Sequence, residues 1–94
     1  MKDYKEIPIK YICYILKIHD KDIFKVGITN RLKARMRNLR VSMYEDVDCV
    51  NEYEFNDRQE ALNCERMIKK ESEKWRIKGE WYTRIEKIEK LKSE

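Results

Sequence analysis

Glycine, proline and histidine are scarce in this chain, with two glycines, one proline and one histidine among 94 residues. With 43% charged and 41% apolar residues beside them, that composition argues for a compact domain with long solvated helices and against a disordered tail. Cys13, Cys49 and Cys64 lie far apart, form no CxxC pair and have only His19 for company, which excludes the usual zinc ligand sets. Each sits within an apolar pattern and reads as a small core residue of a reduced, cytoplasmic protein. No apolar run is long enough to cross a membrane, and the lysine-rich start lacks the apolar core of a signal peptide. Neither an internal repeat nor a low-complexity segment interrupts the chain. Its length suits one domain over residues 1–94 with a single small core and little surplus stability.

What the chain does hold is aromatic residues and unevenly placed charge. Six tyrosines, two tryptophans and two phenylalanines exceed what a solvating segment carries. The net charge of +4 says little, but its distribution says more. Lys25, Arg31, Lys33, Arg35, Arg37 and Arg40 follow one another with no acid among them up to Val41. Such a block is the footprint of a nucleic-acid binder, or else a solvated helix face.

Ile7 to Ile18 is rich in β-branched and aromatic residues, and Lys10 to Ile18 reads as a strand. The polar run His19-Asp20-Lys21-Asp22 supplies a hairpin turn, and Ile23 to Ile28 forms the second strand. Thr29 or Asn30 then caps a helix to about Arg40, with Leu32, Met36 and Leu39 on its core stripe. Val47 to Phe55 alternates as a third strand. Asp57 and Glu60 make a capping box for a helix that continues to about Arg76 and stops near Gly79. Ile85, Ile88 and Leu91 mark a terminal helix over 84–92, following a core of about 8–83. The expected fold is α+β, a small three-stranded antiparallel sheet flanked by helices in the order β-β-α-β-α-α.

Pairing Ile18 with Ile23 across the turn sets Tyr14 opposite Gly27 and Leu16 opposite Lys25. Tyr14 and Lys25 then share a face as diagonal neighbours. An ammonium beside a phenol lowers the cost of forming phenolate, and Gly27 leaves room for a ligand backbone. A core tyrosine with a snorkelling lysine gives the same pattern. Arg31 and Arg35 lie one turn apart, and an arginine fork matches a phosphate; surface charge is the plainer alternative. Glu65 is embedded among Ala61, Leu62 and Ile68, where a carboxylate needs a partner. Either a magnesium ion, which accepts one or two carboxylates and keeps its waters, or an ion pair with Arg35 meets that need.

Ile12-Cys13-Tyr14, ten residues, then Lys25-Val26-Gly27 resembles the paired tripeptides of the GIY-YIG nuclease superfamily. Arg35, eight residues after Gly27, stands where that family keeps its catalytic arginine. The segment Glu60 to Lys69 is similar to the one bearing the family's metal-binding glutamate, which falls on Glu65. Gly79-Glu80-Trp81-Tyr82 resembles the end of the phage-type branch whose second tripeptide is KIG. The likeness spans roughly Lys10 to Tyr82. It departs in the missing glycine of the first tripeptide, in Lys25 for tyrosine, and in having no histidine on the arginine helix. The family's C-terminal asparagine has no counterpart either.

The resemblance implies an endonuclease in the cytoplasm of a bacterial or phage-infected host cell. Glu65 would hold Mg²⁺ or Mn²⁺, Tyr14 would act as general base with Lys25 tuning it, and Arg35 would neutralise the phosphate. Arg31, Lys33, Arg37, Arg40 and Gly27 would contact DNA. Tyr11, on the other strand face, is a reserve base. One site cuts one strand, so double-strand cleavage calls for a homodimer or two visits. Two rivals stand beside this reading. One is a DNA-binding or nuclease-inhibiting module of the same fold without catalysis. The other is a protein-interaction domain anchored by Trp75, Trp81 and Tyr82, although those aromatics equally serve to fasten the C-terminal segment.

Overall fold

The computed structural model describes residues 9–85. Its elements are β1 (Tyr11–Ile18), β2 (Phe24–Thr29), α1 (Leu32–Met43), β3 (Val47–Phe55), α2 (Arg58–Glu71), β4 (Arg76–Lys78) and β5 (Trp81–Tyr82). They form one sheet in the order β3-β1-β2-β5-β4, with every pairing antiparallel. The α+β class and the three long strands match the sequence-based expectation, and the sheet extends beyond them by two short strands.

Strand β1 explains its own interior position. Cys13, Tyr14, Ile15 and Leu16 are all buried, so both faces of the strand are covered. Only a run apolar on consecutive residues suits such a place. The hairpin closes where Ile18 donates its N–H to the Ile23 carbonyl at 3.0 Å, and Tyr14 pairs with Gly27 and Leu16 with Lys25. The expected register is therefore the observed one. On the other side of β1, a bulge sets Ile15 opposite Asn51 but Leu16 opposite Cys49. Val50 is the extra residue, and the bulge reverses the facing of everything before it. Cys49 consequently lies exposed, whereas Cys13 and Cys64 are buried, which corrects the reading of all three as core residues.

Helix α1 runs to Met43, one turn past the expected end. It stops at Tyr44, which adopts a left-handed conformation (φ 57°) with its N–H bonded to Arg40. No residue of α1 is fully buried. Its N-cap is Arg31 and not the expected Thr29 or Asn30, with no side-chain cap bond; Thr29 Oγ1 instead accepts the Arg31 N–H at 3.0 Å just before the helix. Helix α2 begins at the expected Asp57, but the Asp57 side chain makes no cap bond; the Asp57 carbonyl accepts the N–H groups of Glu60 and Ala61 instead. Ala61, Cys64 and Ile68 form its buried stripe, and Cys64 and Ile68 pack with Cys13, Ile15, Val26 and Tyr53. A side chain as buried as Ile68 contributes about 1.5–3 kcal/mol.

Beyond Glu71 the chain leaves the helix, contrary to the expected continuation to Arg76. A short 3₁₀ turn at Glu73–Trp75 leads into the β4–β5 hairpin, with Gly79 at its tip in the left-handed region (φ 57°). Gly79 is thus a strand turn and not a helix cap. The cause is tertiary: β5 adds to the free edge of β2, pairing Tyr82 with Phe24 and Trp81 with Lys25. Tyr82 is buried by that docking. The Trp75 carbonyl holds the segment from behind, accepting the Thr83 N–H at 2.9 Å. The expected helix over 84–92 lies outside the described residues apart from Arg84 and Ile85, which are not helical.

Candidate active site

Tyr14 lies at the centre of the sequence-derived set. Its ring crosses Gly27: a Cβ built on Gly27 would lie 2.5 Å from Tyr14 Oη and 2.7 Å from Cζ. The absent side chain makes room for the phenol of the neighbouring strand. The space expected to admit a ligand backbone over Gly27 is taken by Tyr14 itself.

Lys25 shares the Tyr14 face through the observed register, yet its ammonium is committed elsewhere. It is ion-paired with Glu80 and stands 5.4 Å from the centre of the Trp81 ring. The β4–β5 hairpin brings Glu80 there, because β5 aligns Trp81 with Lys25.

Glu65 holds the position its apolar neighbours predict, with a side chain only 14% exposed. Its partner is Lys69, one helical turn on, at 3.0 Å. The same ammonium lies 3.5 Å from Glu80. Lys25, Glu80, Lys69 and Glu65 thus form a chain of alternating charge joining β2, the β4–β5 turn and α2. The need for a counter-charge was legible in the sequence; that a lysine at i+4 meets it, in place of Arg35, was not anticipated, although the spacing permits it.

Arg35 is exposed on α1 and borders a polar recess with Tyr11, Ile28, Thr29, Asn30 and Arg58. Arg31, Lys33, Arg37 and Arg40 are exposed as well. Among the described residues none of these α1 cations is in an ion pair.

Comparison with known families gives a match. The model of the T5orf172 domain covers residues 10–93. The chain belongs to the T5orf172 family. This is a domain of phage and bacterial nuclease-like proteins, which associates the chain with nuclease-related, DNA-directed function. No curated protein and no solved structure is significantly similar to it.

In this T5orf172 domain the charges around Tyr14 act in opposite directions. Burial pushes its phenol above the ordinary tyrosine value, Arg35 pulls it down, and the carboxylates of Glu80 and Glu65 push it up. Lys25, expected to tune the phenol, is ion-paired with Glu80. Burial draws Lys69 down, but its bond to Glu65 and the charge of Glu80 leave it raised overall. Burial raises Glu80, but Lys25 and Lys69 together bring it below the usual carboxylate range.

A hard divalent cation would find two carboxylates here, both already paired with lysines. Glu65 and Glu80 converge on a single cationic point, the Lys69 ammonium, and magnesium accepts one or two carboxylates while keeping several waters. No cluster of three or more acidic, histidine or cysteine ligands occurs among the described residues, so any such ion would be held largely by water. Sequence reasoning missed Lys69, Glu80 and Arg58 as members of the site. Glu80 and Arg58 come into place only through tertiary structure.

Proposed function

We propose that this T5orf172 domain is a GIY-YIG-type endonuclease that hydrolyses DNA phosphodiester bonds with Mg²⁺ or Mn²⁺. What supports the reading is that the charges of Arg35, from α1, and of Glu65, from α2, both act on the buried Tyr14 phenol. A base, a phosphate-neutralising fork and a carboxylate around one point are the parts that metal-assisted hydrolysis needs.

Tyr14 removes the proton from the attacking water, a task only its phenolate can perform. Arg35 meets the charge that develops on the phosphate. Glu65 would hold the divalent ion, with Glu80 in reach, and the ion would polarise the phosphate and stabilise the leaving oxygen. Lys25 occupies Glu80 and so limits the negative charge around Tyr14. Arg31, Lys33, Arg37 and Arg40 hold the DNA backbone through contacts that weaken as salt rises. Each site cuts one strand, and double-strand cleavage takes two copies or two visits.

A second reading draws on the same phenol. Tyr14 is 2% exposed and its ionisation is disfavoured, as suits a module that holds DNA without cutting it. Supercoiled plasmid incubated with Mg²⁺ separates the two. Nicking by the wild type that disappears in both Glu65→Ala and Arg35→Ala supports the nuclease. Retention of DNA by wild type and Glu65→Ala, with no cutting by either, sinks it in favour of the binding module.

A further inference from the structure

The recess beside Arg35 encloses about 210 Å³ and is lined by Tyr11, Ile28, Thr29, Asn30, Arg35 and Arg58. Its walls come from separate parts of the fold. Tyr11 opens β1, Ile28 and Thr29 close β2, Arg35 sits in the first turn of α1, and Arg58 is the first residue of α2. No carboxylate lines it, and among the described residues neither arginine is in an ion pair.

Two guanidinium groups that share a hollow without a counter-charge repel one another, and an anion between them gains from both. The other polar walls suit the same guest. The Asn30 amide can donate. Thr29 Oγ1 accepts from the Arg31 N–H, which leaves its own proton to give. Ile28 and the Tyr11 ring supply apolar surface for a sugar. The hollow is smaller than the pockets that enclose whole drug-sized ligands, so it suits one phosphodiester link of a strand better than a free nucleotide. Arg35 joins it to the site, since the same residue acts on Tyr14.

We propose that this recess binds a second phosphate of the DNA strand, adjacent to the one presented at Tyr14, with Arg58 as the fork opposite Arg35. The inference rests on the DNA-directed reading above and adds to it a residue outside the basic run of α1. Arg58 fixes where the strand lies across the mouth of the site. Its contact is sequence-independent, as phosphate contacts are.

The test is binding of a fluorescently labelled DNA duplex, followed by anisotropy across a salt series without divalent ions. The proteins are wild type, Arg58→Ala, Arg58→Lys and Lys70→Ala. Arg58→Ala should weaken binding about tenfold, the loss of one charge-assisted contact. It should also lower the slope of log affinity against log salt by about one. Arg58→Lys should keep the slope and lose affinity, because the charge remains without the fork. Lys70→Ala should match wild type. Unchanged affinity in Arg58→Ala overturns the proposal, and so does a loss of affinity at an unchanged slope, which would mark a merely structural effect. A wild type that binds no DNA at low salt removes the DNA-directed reading itself; a wild type that binds, with Arg58→Ala its equal, removes only the recess.

Discussion

The Lys25 ammonium is ion-paired with the Glu80 carboxylate and not with the phenol of Tyr14, its diagonal neighbour across the hairpin. The docking of two short C-terminal strands therefore adds the Glu80 carboxylate to the charges that act on Tyr14. Replacing Glu80 with Gln takes away a group that pushes the Tyr14 phenol up and leaves Lys25 uncompensated. Tyr14 should titrate at lower pH in Glu80→Gln than in wild type, as followed by NMR of ring-labelled tyrosine with Tyr14→Phe for assignment. An unchanged or higher value would show that Glu80 does not govern the phenol.

The contact between Tyr14 and Gly27 is a matter of volume. A methyl group on Gly27 would overlap Oη and Cζ of the ring, so Gly27→Ala must displace the phenol. A cost of about 1–3 kcal/mol is expected for forcing a group into a packed site. In a Tyr14→Ala background the same change should cost nearly nothing. A double-mutant cycle by urea unfolding measures this coupling, and additive effects would place the strain elsewhere.

Lys69 is paired with Glu65, and a divalent ion held by Glu65, as proposed, would have to compete with it. Lys69→Met should be less stable than wild type without metal, because a mostly buried carboxylate loses its partner. Added Mg²⁺ should then raise its Tm more than that of wild type, through tighter binding to the folded state. Glu65→Gln should abolish the rise. Equal Mg²⁺ responses in all three proteins would exclude Glu65 as the anchor.

If Tyr14 is the base, the rate must follow its phenolate. The folded phenol titrates above the ordinary tyrosine range, chiefly because it is buried, so phenolate is the minority form at neutral pH. The logarithm of kcat/KM should climb with a slope of about one from neutral pH to about pH 9. A flat profile there would take Tyr14 out of the chemistry. The linked stability has the corresponding sign. A phenol raised in the folded state contributes stability below its unfolded value of about 10 and loses it as pH rises through the folded value.

The legible parts of this fold are those specified by local periodicity. The hairpin register was readable because strand faces alternate and the polar run from His19 to Asp22 fixes where pairing resumes. Glu65 was readable because Ala61 and Ile68 flank it at helical spacing. Cys49 misled because alternation along β3 looks continuous in sequence, while the bulge at Val50 reverses its phase. The C-terminal hairpin was hidden for another reason. Glu71 to Arg76 has ordinary helix formers, and only the free edge of β2 and the burial of Tyr82 favour strand there. Glu80 reaches Lys25 through that docking and Arg58 reaches the Arg35 recess from the start of α2, and no spacing rule in the sequence brings either of them there.

The β4–β5 hairpin has a consequence for how copies of the chain can meet. Among the described residues β4 is the outermost strand on its side, three residues long, with Arg76 and Lys78 at its ends. A neighbour adding there would gain a ladder too brief to hold and would bring its own cations against these. The opposite border, β3, is interrupted by the bulge at Val50. Lateral growth of the sheet is thus blocked at one border and broken at the other. Among the described residues, that leaves helices and loops as the surfaces on which two copies could pair.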